Sequence, residues 1–287
     1  MNSTLTTTDL PGGLGVRVDD LPVEALDDTM VLAELDELMR SRSLILAHFP
    51  ELAEDDQAKL ATSFGVVTDR GGYGTSPDRG AGSTSAKPAG AMYVSNTRED
   101  GILGKGQLDF HHDHLFYEDP LAALMLYAIE IPPSGSETWF RSGASALESL
   151  PAELRARAEG IECRHLYDYV KLAERRYRDW DDPDDATPGS QSNWKPLVWT
   201  QPGTGRQALL LSQSTIDFRG IGREDGIALY KEIYDHLVGH EDEVACHRHR
   251  WQPGDLIAWD NLMVAHSRKP FVKTEPRTLR RTPILTA

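Results

Sequence analysis

Apolar residues recur at helical spacing through Met30, Leu32, Leu35, Leu38 and Met39, directly after an Asp27-Asp28 pair that can cap a helix. The run from Ser43 to Phe49 that follows reads as a buried strand. A second helix is expected from about Glu54 to Phe64, with Leu60 and Phe64 on one face and Gly65 as its stop. Ahead of these, residues 1–13 read as a polar tail, and Val16 and Val18 mark a short opening strand. Between Arg70 and Gly90 the chain is Gly, Ser, Pro and Ala with almost no large apolar residue, which predicts a long loop, either a surface excursion or a flap over a site.

From Ala91 onward short apolar segments dominate. Strands are expected at Ala91 to Ser95, through His111, and from Leu121 to Ile131, the last closed by a Pro132-Pro133-Ser134-Gly135 turn. Helical segments at Ser142 to Leu150 and Pro151 to Ala158 precede a loop-like insert at 167–192. Pro196 to Thr200 and Arg206 to Ser212 pair across a Gly-rich turn, and Glu224 to Val238 forms an amphipathic helix. Further strands are expected at Glu243 to Trp251, Asp255 to Trp259, Met263 to His266 and Thr278 to Ile284. No repeat and no second-domain linker is visible. Many short strands with a few helices outside them predict a mainly β protein, a single domain over 14–287 built on a double-sheet jelly roll with inserts near 70–90 and 167–192.

One apolar run is interrupted. Leu108 to Phe116 carries His111, His112, Asp113 and His114 between aromatic neighbours. On a continuing strand His111 and Asp113 would share a face, with His112 and His114 on the other. A distant histidine, His266, follows the Pro253-Gly254-Asp255 turn and an apolar segment. Brought together by the fold, the three would make a two-histidine, one-carboxylate triad, which suits ferrous iron and leaves three coordination positions open. A solvated strand edge or a set of hydrogen-bonded core histidines gives the same local pattern.

Charge narrows the partners. A net charge of -15 argues against nucleic acid or an anionic membrane surface, so an anionic ligand must be met by a few local arginines. The 2 cysteines, Cys163 and Cys246, form neither metal-ligand spacing nor a disulfide framework and fit a reducing cytoplasm. The first residues lack the basic and apolar regions of a signal peptide, and no run reaches the length of a membrane span. A homo-oligomer is compatible with all of this.

With His111-x-Asp113, Gly-Ser-Glu-Thr-Trp at 135 to 139, Gln-Pro-Gly-Thr-Gly-Arg at 201 to 206, and Trp-Gln-Pro-Gly-Asp-Leu-Ile-Ala-Trp-Asp-Asn ahead of His266, the chain resembles the taurine dioxygenase family, most clearly from about Ala91 to Ile284. The resemblance implies a double-stranded β-helix and an oxygenase dependent on iron(II), 2-oxoglutarate and O2, which hydroxylates or desaturates a small, anionic organic substrate and releases succinate and CO2. It implies iron ligands His111, Asp113 and His266. It further implies that Thr138 and Arg277, the latter eleven residues after His266 (277 minus 266), bind the 2-oxoglutarate carboxylates. Arg281 shares a strand face with Arg277 while Arg280 points away, and Arg281 and Asn96 are the expected substrate contacts. Two positions depart from the family pattern: Phe110 stands where a tryptophan is common, and Lys195 where a histidine is. A zinc hydrolase on the same ligands is the enzymatic alternative, and it would have no use for Thr138 or Arg277. A jelly-roll binding protein with structural histidines is the non-enzymatic one.

Overall fold

The computed structural model describes residues 5–68, 92–102, 107–168, 185–240, 243–272 and 274–287. The predicted 70–90 loop lies outside them, as do residues 169–184 of the predicted insert.

The chain opens with β1 (Thr6–Asp9) antiparallel to β2 (Val16–Asp19), so the stretch read as a polar tail carries a strand. All four β1 residues are exposed, which left hydrophobic patterning nothing to detect. Gly12, in the turn between them, has φ +86, and a Cβ there would run into the Cys246 carbonyl. Helix α1 (Thr29–Arg42) starts where Asp28 accepts a 2.8 Å bond from the Met30 N–H. Its buried stripe is Val31, Leu35 and Met39, whereas Met30, expected on that face, is 58% exposed. Then come β3 (Leu44–His48), α2 (Glu54–Thr62), β4 (Val66–Val67), β5 (Met92–Ser95), β6 (Leu108–His111), β7 (Ala123–Glu130), β8 (Thr138–Ser142), α3 (Gly143–Ser149) and α4 (Ala152–Ala158).

The later part holds β9 (Glu162–Tyr167), β10 (Gln191–Pro196), β11 (Val198–Thr200), β12 (Gln207–Leu209), β13 (Thr215–Arg219), α5 (Arg223–Gly239), β14 (Cys246–His249), β15 (Asp255–Asp260), β16 (Val264–Arg268) and β17 (Thr278–Leu285). Strands β9 and β13 are absent from the sequence expectation, and β10 begins inside the expected insert. The three form one small sheet in the order β10-β9-β13. Lys195 on β10 donates a 2.6 Å bond to the Glu118 carbonyl, tying this sheet to the chain just past the histidine cluster.

Among the described residues an eight-stranded sheet runs β1-β2-β3-β15-β7-β17-β4, with β5 also beside β17, and a four-stranded sheet runs β14-β8-β16-β6. Residues from both sheets share one apolar core: Leu124, Leu126, Ile257, Trp259 and Leu279 meet Phe140 and Val264 there. The alternate residues Met125, Tyr127, Leu256 and Ala258 face a layer formed by α1 and α2. Both faces of β7 and β15 are thus covered, which is why these strands read as unbroken apolar runs. Helices α3, α4 and α5 cover the outer face of the smaller sheet through Ala265 and Phe110. The architecture is the double-stranded β-helix predicted from the strand pattern.

The 201–206 motif has a structural role. In the 201–206 turn, Gln201 Nε2 donates to Asp260 Oδ2 at 2.6 Å. From the same turn, Arg206 donates to the carbonyls of Arg40 and Ser41 at 2.9 and 3.2 Å, closing the C-terminus of α1.

Candidate iron and cosubstrate site

His111 and His266 are direct cross-strand partners on β6 and β16, and their ring centroids lie 4.3 Å apart. Asp113 reaches the same point by a different route from the one expected. Strand β6 ends at His111, and the chain turns through Asp113 and on to His114, which sits in the left-handed region at φ +60. Asn261 fixes that turn. Its Oδ1 accepts from the Asp113 N–H at 2.9 Å, while its Nδ2 donates to the Asp113 carbonyl at 2.9 Å and to the Leu121 carbonyl at 2.8 Å.

The result is a compact donor set. Asp113 Oδ1 lies 3.3 Å from His111 Nε2 and 4.0 Å from His266 Nε2, and one ligand atom from each residue falls within 4.8 Å of the others. The His111 Nδ1 is 2.7 Å from the Asp109 carbonyl, so this nitrogen carries the proton and leaves the Nε2 lone pair facing Asp113. Burial holds His266 well below its ordinary value, with the neighbouring His111 adding to it, so its ring is neutral. Burial would raise Asp113, but the Arg281 guanidinium beside it outweighs that and holds the carboxyl well below the carboxylate range. Two imidazoles and an ionised carboxylate, all buried, are the donors a ferrous ion takes in a facial triad.

His112 and His114 point elsewhere. His112 Nδ1 is 2.7 Å from the Leu211 carbonyl, and burial lowers this imidazole to about 4. The His114 ring packs against Phe116 and Tyr117.

A pocket opens over the triad. Val94, Leu108, Leu126 and Trp259 form its apolar wall, and Thr138, Arg268, Arg277 and Arg281 its polar one. Thr138 Oγ1 accepts a 2.8 Å bond from the Trp251 indole N–H, which leaves the hydroxyl proton available to donate into the pocket. Arg277 is 2% exposed, and burial, helped by Arg268, pushes its guanidinium down to about 9. Its Nε finds no hydrogen-bond partner among the described residues. Arg268, missed by the sequence reading, is the register partner of Thr138 across β16 and β8 and is lowered to about 10 by burial. Its position two residues after His266, on the same face of one strand, was the available signal.

Arg281 shares this pocket, and its Nη2 donates to Asp113 Oδ2 at 2.7 Å. Oδ1 therefore faces the two imidazoles while Oδ2 is engaged by the guanidinium. Arg280 points to the opposite face as expected, donating to Gln57 Oε1 at 2.7 Å and to the Leu52 carbonyl at 2.6 Å. Asn96, expected beside Arg281 as a substrate contact, is committed elsewhere. Its Nδ2 donates to the Glu275 carbonyl at 2.7 Å and its Oδ1 accepts from the Arg277 N–H at 2.8 Å, so it positions the backbone that presents Arg277.

A triad of this composition between the two sheets of a jelly roll, with a cation-lined pocket above it, defines an iron(II)- and 2-oxoglutarate-dependent oxygenase. The chain belongs to the Taurine catabolism dioxygenase TauD, TfdA family, whose model matches residues 6–282. It is 30% identical to the alpha-ketoglutarate-dependent 2,4-dichlorophenoxyacetate dioxygenase of Cupriavidus pinatubonensis, with 93% of each chain covered. It is 27% identical to the pentalenolactone F synthase of Streptomyces avermitilis, covering 98% of this chain and 94% of that one. Its fold is similar to that of AAD-2 solved with Mn(II) and N-oxalylglycine, at a TM-score of 0.79 and 20% identity over 99% of this chain and 98% of the other. Hydrolase and non-enzymatic readings of the same ligands fall away with that membership.

Proposed function

We propose that this dioxygenase oxidises a small organic anion with an apolar body, by hydroxylation or desaturation, while converting 2-oxoglutarate to succinate and CO2. One observation carries the substrate class: Arg281 Nη1 is buried in the pocket without a hydrogen-bond partner among the described residues, while Nη2 is held by Asp113. A buried guanidinium donor left unsatisfied is costly, and an anionic ligand removes that cost. Val94, Leu126 and Trp259 supply the apolar surface beside it. The names of two relatives, the 2,4-dichlorophenoxyacetate dioxygenase and an (S)-phenoxypropionate dioxygenase of Sphingobium herbicidovorans, point to the same chemistry, an apolar body bearing a carboxylate.

In this proposal His111, Asp113 and His266 hold the ferrous ion, which when bound activates O2 for oxidation of a substrate C–H bond. Arg277, with Arg268 beside it, meets the distal carboxylate of 2-oxoglutarate, and the Thr138 hydroxyl donates to that same end. Arg281 fixes the substrate anion within one guanidinium of the metal's carboxylate, and the apolar wall excludes water from the C–H to be broken. A cytoplasmic location is part of this proposal, and two buried cysteines outside any disulfide support it. Self-association, which the composition allows, is read by light scattering.

The test is succinate release from the iron-loaded enzyme with phenoxyacetates, phenoxypropionates, alkyl sulfonates and polycyclic carboxylic acids, each beside its neutral methyl ester. The acids are expected to stimulate succinate formation and the esters to leave it at background. Equal stimulation by acid and ester would sink the anionic substrate class.

A further inference from the structure

Among the described residues, one other group of metal-binding side chains is drawn together, at the far end of α5. His236 and His240 lie one helical turn apart with ring centroids 4.5 Å from each other. Just past α5, the His240 carbonyl accepts from the N–H groups of Glu243 and Val244 at 3.3 and 2.9 Å. Glu243 Oε1 lies 3.8 Å from His240 Nδ1. One ligand atom from each of His236, His240 and Glu243 lies within 4.8 Å of the other two.

Two further features favour a cation. His236 is buried, and its Nε2 is 2.8 Å from the hydroxyl of Ser149, the last residue of α3. Such a bond on one ring nitrogen orients the other and sets its tautomer, the arrangement found behind metal-ligating histidines. The cluster also sits at a helix C-terminus, where the carbonyl ends concentrate partial negative charge. None of these residues lines the iron pocket.

We propose that His236, His240 and Glu243 form a second metal site, separate from the iron centre, that takes a divalent ion of the zinc class. Two imidazoles and one carboxylate suit zinc, nickel or copper(II) and are a poor match for calcium or magnesium, which prefer all-oxygen ligands. Water completes the coordination, since His240 and Glu243 are exposed. Bound there, the ion clips the end of α5 to the segment leading into β14, with Ser149 linking it to α3. Because the unfolded chain lacks this geometry, the ion stabilises the fold by an amount that grows with the logarithm of its concentration above Kd.

The experiment titrates zinc into chelator-stripped protein against a chromophoric competitor. Wild type is expected to take two equivalents, one in each site. The double variant Asp113→Ala/His266→Ala, which lacks the iron triad, keeps one. Adding His240→Ala to that variant removes it, and adding Ser149→Ala instead weakens it about tenfold. In the otherwise wild-type chain, His240→Ala and Glu243→Gln each leave a single equivalent, while iron- and 2-oxoglutarate-dependent succinate formation is unchanged. Zinc should also raise the melting temperature of the triad-less variant and not of its His240→Ala derivative. If the triad-less variant binds no zinc, or binds it equally well after His240→Ala and Glu243→Gln, the site does not exist.

Discussion

Arg277 holds a positive charge where burial disfavours it, with a second arginine adjacent. Even pushed down to about 9 the group stays protonated at neutral pH, so the pocket presents a fixed cation to an incoming carboxylate. A planar guanidinium can grip that carboxylate through two parallel hydrogen bonds, which an ammonium cannot reproduce. Arg277→Lys is therefore expected to cost about 2 kcal/mol, roughly thirtyfold in 2-oxoglutarate affinity, read by anaerobic calorimetry on the iron-bound protein. Arg281 differs, because one of its nitrogens engages Asp113. Arg281→Ala should weaken iron binding about tenfold, as loss of an outer partner of a metal ligand does, and raise the KM for the organic substrate. Its 2-oxoglutarate affinity should stay at the wild-type value. A variant that loses 2-oxoglutarate and keeps iron would reverse the roles given to the two arginines.

Elements set which of these side chains meet. Strand β17 sends Arg281 inward to the triad and Arg280 outward to α2, so one strand both builds the site and anchors a helix behind it. Asp255 at the start of β15 receives the Gln252 N–H at 2.8 Å and lies 3.1 Å from both His249 on β14 and His48 on β3. This carboxylate therefore joins the two sheets. Burial would raise its pKa, but the hydrogen bonds from His249 and His48 outweigh that and hold it below 3.8. A carboxyl held below its unfolded value adds stability at pH above that value, and the contribution is lost as the pH falls through the folded pKa. The difference in melting temperature between wild type and Asp255→Asn should thus be widest near neutrality and close as the pH drops below 3.8. A gap that is constant with pH would show that the charge contributes nothing.

At the scale of the whole molecule, stability and metal binding are separable. Apolar cores lie between the sheets and under both helix layers, and the triad lines the pocket. Asp113→Ala should remove iron and coupled turnover while the far-ultraviolet circular dichroism stays native. His112→Ala should keep iron, because that ring hydrogen-bonds to Leu211 and faces away from the triad. Iron retained by the first variant, or lost by the second in a folded protein, would mean that the ligands are wrongly assigned.

By itself the sequence determined the strand-rich architecture, because β7 and β15 are unbroken apolar runs and β17 alternates in a way that separates Arg280 from Arg281. The residue types at His111, Asp113 and His266 were also legible as a candidate metal set, whereas Thr138 and Arg277 entered only through the resemblance to a family. It could not show that β6 stops at His111, so the expected proximity of His111 and Asp113, 3.3 Å apart in the structure, was reached through a strand alternation that does not exist. Asn261, which fixes Asp113, lies 148 residues away, and Arg281, which takes its second oxygen, lies 168 away. Nor could it reveal β1, whose exposed polar residues carry no hydrophobic signal. Only the tertiary structure decided these points. Periodicity reports which face of an element is buried, but not which distant side chain meets it there.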